Sequence, residues 1–382
     1  MVSRRTVTRH SLAFLGAAGV AAAVLLAPPA HASDPGGNIC ADGSDALVAS
    51  SVELGSWGQY IYTFGDASGS FQDVVPPPDF SPTTASNAEL VAMGFPPRPS
   101  SEPDLTAWLS EVDGYSGAYQ GPPAYCPVTD EEEVSPTSLT LETVTNGGTY
   151  NWGGEENVAG PYQKVTGGFY EPSISSTSST QGMSIWLGLD HTPNTLAGHG
   201  VLIQAGSRVL NGSKVGHPFW EEFCTWADES SGSTSPNPFC GPAYYRTNTI
   251  SGGQHVTVSV WYDPATNGSF YHVSVAGTLI INVAHQMPGE AITGTTATYI
   301  TENQDYQTSV LPTIIGAIDF TALKTYAHFD SGSAVSFGSQ SRKNIVMSAD
   351  GAYHTMSCSN SEVLLYPHYV STSEFQEIQC IQ

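Results

Sequence analysis

From Pro136 onward the chain runs in short stretches rich in Val, Ile, Thr, Tyr and Trp, broken by Gly, Asn, Asp and Ser clusters, with little apolar recurrence at the helical period. β-Branched and aromatic residues suit a pleated, half-buried surface, and Gly and Asn suit the turns between strands. His255 to Tyr262 alternates, Asp263 to Gly268 makes a turn, Phe270 to Val275 returns, and Gly277 leads into Thr278 to Ile281. Three sequential hairpin strands are expected there. About 230 residues in this texture suit one large domain, so the expected fold class is all-β, a two-sheet antiparallel β-sandwich of jelly-roll or lectin-like type. We place it at residues 145–369, with residues 370–382 as a C-terminal tail.

The N-terminus has a different character. Arg4, Arg5 and Arg9 precede an uncharged apolar run from Leu12 to Leu26, and Ala30-His31-Ala32 offers small residues for a signal peptidase. Residues 1–32 are expected to be a signal peptide, of Sec or twin-arginine type, and the mature protein to be secreted and extracellular. No other stretch approaches the roughly 18 uninterrupted apolar residues of a membrane span, so no membrane association is expected after signal removal.

Residues 33–144 are rich in proline and glycine, as in Val75-Pro76-Pro77-Pro78 and Gly121-Pro122-Pro123. The segment is expected to be either loosely structured or a small disulfide-tied module, with short helices at Asn87–Met93 and Asp104–Val112. The run Asp130-Glu131-Glu132-Glu133 reads as a solvated linker within reach of proteases.

Three of the eleven Lys and Arg lie in the signal, which leaves eight against 35 Asp and Glu, a net charge of −27. That balance repels nucleic acid and anionic lipid, and the self-repulsion it brings fades as pH falls toward the intrinsic carboxylate pKa of about 4. Six cysteines in an exported chain suggest three disulfides. Among the 15 possible connectivities the sequential one is simplest: Cys40 with Cys126, Cys224 with Cys240, and Cys358 with Cys380.

Several chemistries lack their signatures. There is no Gly-x-Ser-x-Gly elbow, no His-Glu-x-x-His, no phosphate-cradling glycine loop and no Cys-x-x-Cys. The nine histidines beyond residue 32 are scattered without metal-ligand spacing, so neither metal nor cofactor is expected. Phe329-Asp330-Ser331-Gly332 resembles the turn of pepsin-like proteases, but that chemistry needs two such carboxylates and only one copy is present.

What remains is a set of polar residues inside aromatic-rich, strand-like stretches, where a polar side chain must offset its desolvation. These are Asn151-Trp152-Gly153-Gly154, Trp186-Leu187-Gly188-Leu189-Asp190, Leu202-Ile203-Gln204-Ala205-Gly206, Phe219-Trp220-Glu221-Glu222-Phe223 and Ala297-Thr298-Tyr299-Ile300-Thr301-Glu302. In this order they resemble the glutamic peptidases, or eqolisins, a family of secreted endopeptidases that act in acid. The resemblance spans about Thr149 to Tyr366. It implies Gln204 and Glu302 as the catalytic pair, and Trp152, Trp186, Asp190 and Glu222 as substrate-binding residues or supports of the pair. It also implies a polypeptide substrate, no cofactor, and an N-terminal propeptide in the position of residues 33–144. A monomer is expected.

Two departures stand out. Thr298-Tyr299 replaces the family's usual Glu-Trp, and the Cys224 to Cys240 stretch is longer than the family's loop. Two rival readings stay open: a carbohydrate-binding or glycoside-hydrolase sandwich, with Trp186 and Trp220 as sugar platforms and Glu222 with Glu302 as paired acids, or an inactive homologue.

Overall fold

The computed structural model describes residues 39–66, 69–112, 115, 117, 122–127, 146–158, 160–191, 199–226, 243–286, 292, 294–304, 311–330, 333–350 and 352–380. The expected signal peptide, the acidic run Asp130–Glu133 and the pairing of Cys224 with Cys240 lie outside the described residues.

Two antiparallel layers form the body. The first runs in the order Val363–Ser371, Arg342–Ser348, Trp152–Asn157, Thr296–Asn303, Met183–His191, His199–Val209, Gly216–Trp226, Tyr244–Arg246, Ala124–Pro127, Leu47–Val48. The second runs Ile318–Tyr326, Lys164–Tyr170, His255–Asp263, Gly268–Val275, Thr278–Gln286, Gly69–Val75, Tyr60–Asp66, Ser51–Leu54. The strand Glu374–Gln379 pairs with Val363–Ser371 on one side and Ile318–Tyr326 on the other, joining the layers at one end. The expected tail therefore carries a structural strand, and the Cys358–Cys380 disulfide fastens its end. The all-β sandwich is as the sequence indicated, including the three consecutive hairpin strands between His255 and Gln286. Ala276 and Gly277, both at positive φ (49° and 80°), make the tight turn between the second and third.

Alternation along each strand divides the side chains between two environments. Ile185, Leu187, Leu189, Ile203 and Ala205 of the first layer meet Val256, Val258, Val260, Tyr271 and Val273 of the second in the main core. The opposite face of the first layer carries Trp152, Trp186, Phe219, Tyr245 and Ile300, packed with Cys40, Ala46, Ala124 and Cys126 of the N-terminal region. Strands such as Met183–His191 are thus apolar on both faces, which is why their sequences read as near-continuous hydrophobic runs.

Residues 39–127 wrap this sandwich and extend both layers. Ala124–Pro127 pairs with Tyr244–Arg246, and Gly69–Val75 pairs with Thr278–Gln286. Phe71 packs 4.9 Å from Trp220 and 5.0 Å from Tyr244. Two helices, Asn87–Ala92 and Glu102–Val112, close a small core around Leu90, Phe95 and Trp108. Ser86 and Glu89 form a reciprocal capping box at the first helix. Buried polar contacts complete the join: Arg246 Nη1 to Asp73 Oδ2 at 3.1 Å, Lys164 Nζ to Glu111 Oε2 at 2.7 Å, and the Asn282 amide donating to the carbonyls of Val74 and Met93, each at 2.7 Å. The Cys40–Cys126 disulfide ties the two ends of this region together. The region is a docked module, the second of the two alternatives the composition allowed.

Candidate active site

The strand Met183–His191 lies between Thr296–Asn303 and His199–Val209, and its register decides what meets on the outer face of the first layer. Ser184 stands opposite Glu302 on one side and Arg208 on the other, Trp186 opposite Ile300 and Gly206, and Gly188 opposite Thr298 and Gln204. Residues two apart share a face, so Glu302, Arg208 and Gln204 project to the same side. The next strand adds Glu221, directly opposite Gln204, and the strand beyond Glu302 adds Trp152.

Glu302 is held from several sides. Trp152 Nε1 donates to Oε1 at 2.8 Å and Trp186 Nε1 donates to Oε2 at 3.0 Å, so each carboxylate oxygen has an indole donor. Ser184 Oγ (3.4 Å) and Asn151 Nδ2 (3.5 Å) add longer contacts. The two indoles meet edge to face with centroids 5.2 Å apart, fixing both donors. Burial pushes the Glu302 pKa up to about 6, with the negative charge of Glu221 adding to the rise, while the two indole hydrogen bonds and Arg208 draw it down. Gln204 is buried, and its Nε2 donates to Glu221 Oε2 at 2.7 Å. Its Oε1 is buried without a hydrogen-bond partner among the described residues. Glu221 therefore links the site: bonded to Gln204, it is also close enough to Glu302 to act on its charge.

The structure joins Trp152 and Trp186 to Glu302 and sets Gln204 on the same face of the layer. Both tryptophans are buried, at 5% and 0% exposure, and serve as donors to Glu302. Glu222 is placed elsewhere. It projects to the opposite face, where its carboxylate accepts from Ser269 Oγ, Tyr271 Oη (2.7 Å) and His285 Nδ1 (2.7 Å). Burial works to raise its pKa, but His285 and the two hydroxyls together hold it below the ordinary value. The carboxylate beside Gln204 is Glu221, one residue earlier. Asp190 pairs through its backbone with Leu202 and Thr296, and its side chain lies outside the described residues. Thr298, in place of the family's glutamate, is buried and donates to the carbonyl of Gly188 at 3.1 Å.

Arg208 is a site residue that sequence reasoning passed over. The signal was the spacing Gln204, Gly206, Arg208, which sets the arginine on the glutamine's face of one strand. It is buried, and burial draws its pKa down while Glu221, Glu302 and Tyr245 oppose that shift. Among the described residues no group of three His, Cys, Asp or Glu is placed to hold a metal ion.

Family comparison adds to this geometry. The sequence model of the Peptidase A4 family matches residues 150–365, more than half of the chain and all of these site strands. The chain belongs to that family. Peptidase A4 is the glutamic peptidase, or eqolisin, family to which the ordered motifs pointed. Among solved structures, scytalido-glutamic peptidase with a transition state analog inhibitor is similar to this Peptidase A4 chain at 17% identity, covering 60% of this chain and 98% of that one with a TM-score of 0.40. SCP-B, described as a member of the eqolisin family in complex with the tripeptide Ala-Ile-His, is similar at 16% identity, 60% and 98% coverage and a TM-score of 0.39. No curated protein matched the chain.

Proposed function

We propose that this chain is a secreted endopeptidase that hydrolyses polypeptides on the acid side of neutrality, with Glu302 as general base and Gln204 as oxyanion donor, acting as a monomer after export. The observation that carries the reading is Glu302 itself, a half-buried carboxylate clamped between two indole donors, with the Gln204 amide anchored on the same face through Glu221.

The chemistry needs no other group. The Glu302 carboxylate takes a proton from water as the water oxygen bonds to the scissile carbonyl carbon, and the carbonyl π electrons move onto oxygen. One amide hydrogen of Gln204 is committed to Glu221, and the other would meet that developing oxyanion. The open acceptor Oε1 would bind the attacking water. As the C–N bond breaks, protonated Glu302 returns its proton to the leaving nitrogen. A base with a pKa of about 6 is half ionised near that pH and loses about tenfold in ionised fraction per unit below it.

The burial of the tryptophans speaks against the carbohydrate reading. Trp186 and Trp220 are 0% and 1% exposed and offer no face to a sugar ring, and Glu222 and Glu302 lie on opposite faces of one sheet. An assay on denatured protein across pH 3–7 tests the proposal. We expect pepstatin-resistant cleavage, reduced by about a hundredfold or more in Gln204→Ala and in Glu302→Gln. Full activity in Glu302→Gln, or an inactive wild type retained on a polysaccharide column, would sink it.

A further inference from the structure

Only eight Lys and Arg lie beyond residue 32, and one of them is buried in the floor of the candidate site. Arg208 shares a register row with Trp152, Glu302, Ser184 and His217 on five adjacent strands. Glu221, four residues from His217 along its strand and on the same face, approaches from the Gln204 side. A guanidinium cannot lose its proton at any working pH, so this is a fixed positive charge beside two carboxylates. We infer that Arg208 is a positioning residue that keeps both Glu302 and Glu221 ionised on one face, so that Glu302 can serve as a base while Glu221 stays charged to anchor Gln204. This rests on the reading of Glu302 as the base.

Two carboxylates on one face repel, and without a cation one of them takes up a proton. If Glu302 is the one protonated, the base is lost; if Glu221 is, the anchored amide loses its charged acceptor. Among the facing groups, Arg208 is the cation whose charge does not depend on pH. From the Trp152 strand come Asn151 and the indole, from the central strand Ser184 and Trp186, all neutral donors. His217 is bonded through Nδ1 to the carbonyls of Arg246 and Asn248, each at 3.1 Å, and burial holds its pKa below the ordinary value. Tyr245, from the next strand, accepts from the backbone N–H of Ala41 and carries no charge in this range. Of the charges acting on Glu302, Arg208 lowers its pKa and Glu221 raises it.

Opposite signs make the inference testable. The acidic limb of kcat/KM against pH, measured on an uncharged peptide, should move up by about one pH unit in Arg208→Gln, a tenfold loss at a fixed pH on that limb. It should return toward the wild-type position in Arg208→Lys and move down in Glu221→Gln. A packing defect lowers the plateau without moving the limb in opposite directions. The Glu302 carboxyl resonance of the intact protein, titrated by carbon NMR, should follow the same order and does not depend on activity. An inactive wild type with these shifts would refute the peptidase reading alone. An unmoved limb and resonance in Arg208→Gln, a Lys variant no better than Gln, or an effect confined to KM for acidic peptides would overturn the role. Should Arg208→Gln fail to fold, an unmoved Glu302 resonance in Glu221→Gln overturns it equally.

Discussion

The indole of Trp186 donates to Glu302 Oε2 at 3.0 Å from a side chain with no exposed surface. A buried donor to a charged acceptor contributes more than an ordinary hydrogen bond, because the indole cannot turn to water instead. Trp186→Phe keeps most of the volume and removes the donor. We expect a loss of about 1–3 kcal/mol in denaturant unfolding and a higher pKa for Glu302. An unchanged acidic limb in this variant would argue that the indole only fills space.

Buried carboxyl groups give the fold a pH preference. Burial pushes Glu155 up to about 7 and Glu171 up to about 8, and raises Glu377 well above the ordinary range. In each case the folded state holds its proton more tightly than the unfolded chain. Stability is then fully present below about pH 4.5 and is lost as pH rises through the folded values toward 8. Between pH 5 and pH 8 the melting temperature should fall by about 5 °C or more. Calorimetry across that range checks it, and a flat profile would mean that Arg342, 3.4 Å from Glu155, and water offset the burial of these groups.

The N-terminal module should stay attached when the chain is cut after it. No disulfide joins it to the sandwich among the described residues, since Cys40–Cys126 lies within it and Cys358–Cys380 beyond it. Removing it would strip Asp73 from Arg246 and Glu111 from Lys164, and an orphaned buried charge costs about 3–5 kcal/mol. A specific protease site placed between residues 128 and 144 should yield two fragments that co-elute on gel filtration. A sandwich fragment that elutes alone with an unchanged melting temperature would show the module to be a removable propeptide.

Asp73→Ala isolates one of those contacts. It leaves Arg246 and the Tyr125 hydroxyl without the carboxylate they share, at 3.1 and 2.7 Å. The expected loss in chemical denaturation is about 3–5 kcal/mol, and a loss below about 1 kcal/mol would mean that water reaches the guanidinium.

Glu222→Ala separates the two adjacent glutamates. It removes the acceptor for His285, Ser269 and Tyr271 on the inner face, so its effect should appear as a lower melting temperature. An acidic limb shifted as far as in Glu221→Gln would contradict the assignment of the two faces.

Local pattern carried much of this protein. Alternation and turn residues marked the hairpins from His255 to Gln286, Ser86 and Glu89 capped a helix near its expected position, and both sequential cysteine pairs that fall within the described residues are formed. Gln204 and Glu302 were singled out by the resemblance, at polar positions inside apolar strands, and the strand register sets them on one face. Other features depend on pairing. Glu221 and Glu222 look alike in sequence, and which of them meets Gln204 is set by the register between two strands, where a slip of one residue reverses every side chain. Arg208 acquires its neighbours only when Ser184 lies between it and Glu302. The N-terminal third could be read as loose or as a disulfide-tied module because its proline and glycine break every local period, and its partners, Arg246, Lys164 and Asn282, lie up to 208 residues away along the chain. Propensity and alternation act between neighbours in sequence and could be read there, whereas burial, charge pairing and the choice of face arise between strands and were decided by the folded structure.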